Sequence, residues 1–526
     1  MDSRVKCVNR NIFKEHSIWV GLAAGAVIGL SLAQDAWAWA TPWAVLAWAA
    51  AMSSARTPRV QAACLFTGLA AWTWFGGAWI TAAVRPDSPA RGLWQAVTWL
   101  ALLGHRGLCV MTAWWLAQQA LLQRTPGPVA ATLAWAIALV SGEAWAQVGW
   151  LGHGYLGLGQ ALATWPPATP LLPWIGGLGV AALCTLLAAG WVLAWHGVRR
   201  TPRRRLVVLA AGLTLSAAAV PAWSTHPEDP GTAPVQVVAL VSDLRFDGAR
   251  AEALRDRQVA SLQAAMALAG PGGLVVTPET FFAEPPPAQA HGTWAELLAG
   301  VRDTGATVLL GMPHALRDAG GAHLFNAAVQ LSPTRSALYG KQRLVPFGEF
   351  LPWPERFGAV YAQLFESARD GQHPAPAELA EPLYLAGHPV GVLICHEMSL
   401  PLEAARRAID SDWLVVLAED SWIPDPAYRA QMASLARLRA LETGRPLLRV
   451  ANGGPSLSVS AGGHATALTA PPEDGLAPVR AQLAPTRQPS PYARSAEAQW
   501  WGWALWPVWA WWPRPRRRTN EERLPA

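Results

Sequence analysis

The chain has 526 residues, 52% of them hydrophobic and 14% charged, with a formal net charge of +6, and its apolar residues concentrate in residues 1–223 and in a short C-terminal stretch. This distribution excludes a purely soluble globular protein and describes a membrane protein with one large polar insertion. Of the five cysteines only Cys395 lies outside the N-terminal apolar region, which excludes a disulfide framework in the polar part, and no Cys or His pair has zinc-site spacing, so neither a metal nor a cofactor is expected.

Apolar runs at 17–34, 36–53, 60–84, 92–121, 128–149, 171–197 and 205–223 are each long enough to cross a bilayer core. An eighth run, 498–513, contains Trp500, Trp501, Trp503, Trp506, Trp509, Trp511 and Trp512, and either spans the membrane or lies on its surface. Arg4, Lys6, Arg10 and Lys14 precede the first run, Arg56 and Arg59 follow the second, Arg124 follows the fourth, and Arg199, Arg200, Arg203, Arg204 and Arg205 follow the sixth. The positive-inside rule puts all of them on the cytoplasmic side. Seven spans then deliver residues 224–496 to the outside, and an eighth returns the tail with Arg514, Arg516, Arg517 and Arg518 inward. Residues 1–34 also admit a cleaved signal peptide ending near Ser31-Leu32-Ala33, but the apolar run exceeds the roughly 7–15 residues usual for one. His105, Arg106 and Glu143 fall inside apolar runs, where ionisable groups are default functional candidates and would mark a pathway if the protein were a transporter. The arginine clusters fit topology and anionic headgroups, not nucleic acid.

From about residue 234 the pattern changes. Val235–Val241, Gly273–Thr277, Ala306–Gly311, Val390–Ile394 and Trp413–Ala418 read as strands, and Ala251–Ala269 and about 426–443, closed by Gly444, as helices. Alternation of this kind predicts an α/β domain. The Pro- and Ala-rich 471–496 segment reads as a connection back to the membrane. Glu279 and Cys395 directly follow predicted strands, where ligand-facing side chains of α/β folds gather, and Lys341 lies in the Gly- and Pro-punctuated run Tyr339 to Glu349. A cysteine nucleophile needs a base, which a desolvated carboxylate can provide, and a nearby lysine can stabilise an oxyanion. Taken singly, each has an ordinary reading as a helix cap, a solvated loop charge or a core thiol.

The flanking motifs change that weighting. Thr277-Pro278-Glu279-Thr280, the run from Gly340-Lys341 to Pro352, and Ile394-Cys395-His396-Glu397 resemble, in order, the three signatures of the nitrilase (carbon-nitrogen hydrolase) superfamily. Leu344 to Pro352, Arg437 to Pro446, Asn452-Gly453 and Pro491-Tyr492-Ala493-Arg494 extend the resemblance to its membrane-embedded branch, the apolipoprotein N-acyltransferases, over essentially the whole chain. The resemblance implies a multi-span helical membrane bundle (1–223), an extracytoplasmic nitrilase-like αββα sandwich (224–496) and a C-terminal span with a basic tail (497–526), in the bacterial inner membrane with the sandwich facing the periplasm. It also implies that Cys395 takes an acyl chain from a phospholipid as a thioester and that the α-amino group of a diacylated lipoprotein accepts it. Glu279 would be the general base, Lys341 the stabiliser of tetrahedral intermediates, and Glu349 and Glu397 supporting carboxylates that orient Lys341 and the thiol.

Three departures bear on the acceptor. His396 stands where these acyltransferases carry Tyr, Thr277 precedes Pro-Glu where they carry Trp, and Glu419-Asp420-Ser421-Trp422-Ile423 replaces Asn-Asp-Ala-Trp-Phe. His396 invites a base role, but on a continuing strand its side chain would point away from Cys395. An amidase or a conjugal-transfer-type homologue with another acceptor would keep the same triad.

Overall fold

The computed structural model describes residues 2–83, 91–123, 127–149, 151–197, 233–244, 251–287, 292–318, 321–364, 383–423, 425–469 and 475–510. The expected span 205–223, the basic cluster from Arg199 to Arg205, Arg124 and the tail arginines lie outside them.

The N-terminal part is a helical bundle of α1 (Asp2–Ala33), α2 (Thr41–Ser54), α3 (Pro58–Ala83), α4 (Arg91–Leu122), α5 (Gly127–Ala146) and α6 (Leu172–Gly197). Five described helical segments are long and apolar enough to cross a membrane: His16–Ala33, Pro58–Thr81, Arg91–Leu122, Gly127–Ala146 and Thr169–Trp195. Over the expected span at 36–53 a 3₁₀ turn, Asp35–Ala40, runs directly into the 14 residues of α2. At about 1.5 Å per residue α2 alone covers about 21 Å, and the 3₁₀ turn at about 2.0 Å per residue adds about 12 Å, against a hydrocarbon core of about 30 Å. Helices α1 and α3 pack backbone to backbone. Gly21, Gly25 and Gly29 face α3 one turn apart, and a Cβ on Gly25 would lie 1.9 Å from the Gly68 carbonyl oxygen. Small residues at this spacing are how membrane helices, which gain no hydrophobic drive from lipid, obtain close van der Waals contact.

The second part carries β1 (Val235–Ser242), α7 (Ala251–Ala269), β2 (Leu274–Val276), α8 (Gly292–Thr304), β3 (Thr307–Asp318), β4 (Gly321–Leu331), β5 (Ser336–Gly340), α9 (Pro354–Leu364), β6 (Leu383–Leu385), β7 (His388–Ile394), α10 (Pro401–Ile409), β8 (Trp413–Glu419), α11 (Pro426–Thr443), β9 (Leu447–Asn452), β10 (Leu457–Val459), β11 (Ala465–Ala467) and β12 (Leu476–Leu483). The main strand order is β5-β4-β3-β2-β1-β9-β8-β7-β6. Period-two alternation sorts the side chains of β1: Val237, Ala239 and Val241 enter a core shared with Val392, Ile394, Val415 and Leu417 of the other half-sheet, whereas Val238 and Leu240 pack with Leu262 and Met266 of α7. Both faces are buried, which is why these strands read as continuous apolar runs. The result is an αββα sandwich: α7 and α8 cover one outer face, α10 and α11 the other. That second helical layer shares its core with the bundle, since Leu435, Ala436 and Leu438 of α11 join Trp72 and Trp79 of α3 in one cluster.

Three sequence expectations need correction. The 471–496 segment is not merely a connection, because Leu476–Leu483 forms β12, antiparallel to β1 from Leu476↔Ser242 to Leu483↔Val235. Its Pro and Ala content hid a strand whose propensity is supplied by its neighbour. The hairpin of β3 with β4 and the pairing of β4 with β5 also escaped pattern reading. Finally, the Trp-rich C-terminal run is already helical from Pro491: α12 (Pro491–Ala504) precedes a short turn at Trp506–Trp509, with residues 511–513 outside the described residues. It is fastened to the bundle, where Ser141 donates to the Trp503 carbonyl at 2.7 Å and Trp145 Nε1 to that of Ala504 at 3.0 Å.

Two interactions carry testable stability effects. Gly25→Ala should cost about 1–3 kcal/mol or more through overpacking, lowering the thermal midpoint in detergent, whereas Gly104→Ala, with nothing within 4 Å of the added carbon, should leave it unchanged. Arg449 Nη2 meets Asp420 at 2.7 Å with both side chains buried. Arg449→Met strands that carboxylate and should cost about 3–5 kcal/mol, read in the same unfolding assay.

Candidate active site

The site assembles at the C-terminal ends of strands from both half-sheets. Glu279 follows β2, and Cys395 follows β7 directly. The strand stops there: Cys395 has φ +50°, opening a 3₁₀ turn over Cys395–Ser399. Of the five described non-glycine residues with positive φ, Thr280, Cys395 and Phe347 flank or form this site. Strain of this sort, about 1–3 kcal/mol per residue, persists where surrounding structure over-determines a functional geometry.

Lys341 continues from β5, its backbone N–H donating to the Asn326 carbonyl at 2.8 Å. Its side chain is 1% exposed, and its ammonium lies 3.1 Å from Glu279 Oε1 and 2.7 Å from Glu349 Oε1. Burial disfavours the ammonium, but Glu279, Glu349 and Cys395 outweigh that and hold the Lys341 pKa well above its ordinary value. Glu279 is fully engaged: Oε1 also accepts from Asn326 Nδ2 at 2.6 Å, and Oε2 from the Glu419 backbone N–H at 2.8 Å. Burial nonetheless raises its pKa, with Lys341 opposing. Burial and then the Glu279 charge push the Cys395 thiol well up, with Lys341 opposing. The thiol therefore needs a base, and the base in its field is a carboxylate whose own proton affinity is raised.

The supporting carboxylates do different things. Glu349 touches Lys341, and its other oxygen accepts the Val345 N–H at 2.7 Å, so it closes the 345–349 turn while holding the ammonium. Glu397 touches neither Lys341 nor, among the described contacts, the thiol. It accepts from the backbone N–H groups of Gln342, Arg343 and Ile394 at 2.8, 3.1 and 2.8 Å and from the Tyr339 hydroxyl at 2.9 Å. It pins the segment after Lys341 to the residue before Cys395.

His396 does not serve Cys395. Its Nε2 donates to the Gly152 carbonyl at 3.1 Å, which fixes the tautomer, and Nδ1 then accepts from the Tyr155 hydroxyl at 2.9 Å. Burial lowers its pKa to about 4, so the ring is neutral. The strand argument that placed it away from the thiol assumed a continuing strand; the 3₁₀ turn delivers the same separation by another route. His396 thereby docks the 151–170 loop onto the sandwich, and Gly154 approaches so closely that a Cβ there would meet the Ser399 carbonyl oxygen at 1.9 Å. The intramembrane ionisable residues hold the same loop from behind: Arg106 donates to the Leu156 carbonyl at 3.1 Å and to Thr73 at 3.0 Å, and Glu143 accepts the Leu158 N–H at 2.9 Å. Beside this junction lies a cavity of about 780 Å³ bounded by His396, Arg343, Phe350, Trp353, Leu402 and Trp500, within the size range of small-molecule sites.

Sequence reasoning did not single out Asn326 or Tyr339, and it marks Tyr155 only within Gly154-Tyr155-Leu156-Gly157, as a loop stretch that could border a substrate entrance. Asn326 lies on β4, a strand that pattern reading missed, and Tyr155 lies in a loop with no local motif for a partner in another part of the fold.

The carbon-nitrogen hydrolase family model matches residues 249–471. An apolipoprotein N-acyltransferase from Methylococcus capsulatus is 30% identical over 70% of this chain and 71% of its own. Those of Azotobacter vinelandii and Pseudomonas putida are each 28% identical, covering 93% and 92% of this chain and 92% and 93% of their own. With membrane helices, an αββα sandwich and these relatives aligned over most of its length, the chain belongs to the apolipoprotein N-acyltransferase family of carbon-nitrogen hydrolases.

Proposed function

We propose that the protein transfers an acyl chain from a phospholipid, through a thioester on Cys395, to the α-amino group of the diacylglyceryl-cysteine of lipoproteins. The observation that carries the reading is the buried Glu279–Lys341–Glu349 cluster in the electrostatic field of a strained cysteine turn. Glu279 takes the thiol proton as the sulfur attacks the ester carbonyl, and the Lys341 ammonium meets the oxyanion that forms. Collapse expels the lysophospholipid alkoxide, which receives the proton from Glu279. The amine then attacks the thioester, the C–S bond breaks, and Glu279 relays the amine proton to the departing thiolate. Glu349 keeps Lys341 charged and aimed, and Glu397 fixes the distance between the Lys341 and Cys395 segments.

Residues 224–496 are assigned to the periplasmic side and the 497–526 tail to the cytoplasm, a reading supported by the run of arginines flanking alternate apolar segments. The apolar cavity beside His396, opening between the sandwich and the Trp-rich α12, suits substrates whose acyl chains remain in the bilayer.

Purified protein in phospholipid vesicles should gain one acyl mass on Cys395, lost on addition of a diacylglyceryl-cysteine peptide that gains it as an amide. Cys395→Ala should abolish both; an acylated peptide in that variant would refute the thioester. Glu279→Gln should slow thioester formation by about 10²–10⁴ and Lys341→Met by about 10²–10³, timed by quench and mass spectrometry. The acid limb of thioester formation should follow Glu279. Because its pKa is raised, the rate should climb with pH through a range above the ordinary glutamate value of about 4.3, and a limb at or below that value would exclude Glu279 as the base.

A further inference from the structure

Glu419 occupies the position at which the sequence departs from Asn in the acyltransferase pattern. It ends β8, the parallel neighbour of β7, where Leu417 is level with Ile394 and Ala418 therefore with Cys395. Its backbone N–H is already committed to the Glu279 carboxylate at 2.8 Å. Its side-chain carboxylate is held in place: Oε1 accepts from the Ser421 N–H at 3.0 Å and its hydroxyl at 2.5 Å, and Asn452 Nδ2 donates to both oxygens at 3.1 and 2.9 Å. Among the described residues Oε2 receives only that one bond, so it keeps acceptor capacity. The side chain is half-buried, and next to it Trp422 stands 49% exposed with its indole N–H donating to the Glu419 carbonyl at 2.8 Å. A fixed carboxylate beside an exposed aromatic, one strand from the nucleophile, suits a cation carried on an apolar body.

The geometry points to Glu419 as the residue that receives the acceptor's α-ammonium group, holds it beside the Cys395 thioester and takes its surplus proton. This assignment rests on the acyltransfer reading above and adds the acceptor contact to it. An α-amino group is largely protonated at neutral pH, whereas the attacking nitrogen must carry a lone pair. Glu419 removes the first proton and passes it to solvent through its exposed side. The second is released as the C–N bond forms and the C–S bond breaks, and goes through Glu279 to the cysteine sulfur. Burial raises the Glu419 pKa, which strengthens it as a proton acceptor. An Asn at this position would offer the amine a hydrogen bond but could not take the proton.

Glu419→Gln keeps an oxygen for Ser421 and Asn452 and keeps the backbone bond to Glu279, so it removes the charge with little else. The two half-reactions should be timed separately in native protein and in Glu419→Gln and Glu419→Asp, with thioester formation read by mass and discharge read with a diacylglyceryl-cysteine peptide. We expect discharge to slow in Glu419→Gln at least about tenfold more than thioester formation, with a raised KM for the peptide and partial recovery in Glu419→Asp. Equal discharge in Glu419→Gln and native protein, or an equal fall in both half-reactions, would overturn the assignment. Native protein that forms the thioester but does not pass it to the peptide would overturn the lipoprotein acceptor itself, and the assignment with it.

Discussion

A lysine ammonium removed from water is among the costliest groups a fold can bury, and Lys341 is 1% exposed. Only the paired carboxylates of Glu279 and Glu349, at 3.1 and 2.7 Å, make that tolerable. Each carboxylate needs further donors in turn: for Glu279 these come from distant parts of the chain, Asn326 on β4 and the Glu419 N–H on β8, and for Glu349 from the Val345 N–H four residues away. The requirement to satisfy one cation thus ties together both half-sheets and the loop after β5. Two carboxylates against one ammonium also leave a local negative excess beside Cys395. That excess opposes the thiolate and favours a mechanism in which proton removal accompanies attack over one that stores a free thiolate.

A second constraint is mechanical. The α10–α11 layer faces the bundle instead of water, and polar side chains cross the junction at three places. Gln431 of α11 accepts from Trp79 Nε1 at 2.7 Å. Glu442, paired with Arg439 at 2.8 Å, accepts the N–H of Gly177, where α6 is broken by Gly176 at φ +63° and a backbone donor is left to be satisfied. His396 holds the 151–170 loop through Gly152 and Tyr155. The Arg437 to Pro446 motif supplies one of these contacts, through Arg439 and Glu442, and so helps seat the sandwich on the helical bundle.

How much of this could be read in advance follows from where the information lies. Strands buried on both faces announce themselves as apolar runs, so β1, β2, β7 and β8 were legible, as was α11, with Asp425 capping its start and Gly444 its end. Glu279, Lys341 and Cys395 were legible only because their flanks resembled known signatures; no spacing argument brings together residues 62 and 116 positions apart along the chain. The β4 strand, β12 and the short α2 were not legible, since their assignment depends on neighbours and length and not on composition. The Gly21, Gly25 and Gly29 spacing is visible in the sequence, but hydropathy does not distinguish a close-packing face from any other apolar one.

His396 and Glu419 show how a departure can be judged. At His396 the change is absorbed: a neutral ring with one donor and one acceptor fills the gap between Gly152 and Tyr155, both of its nitrogens are satisfied, and no unpaired charge is created. At Glu419 the change is not absorbed. A carboxylate replaces an amide, and burial, with the Glu279 charge adding to it, raises the proton affinity of Glu419 where a neutral residue would have imposed no such cost. Among the described residues Asn452 and Ser421 hold the Glu419 carboxylate with neutral donors, and the Lys341 ammonium is taken up by Glu279 and Glu349. An uncompensated charge at a reaction centre favours arrival of a positive one, and in N-acylation the positive species is the amine.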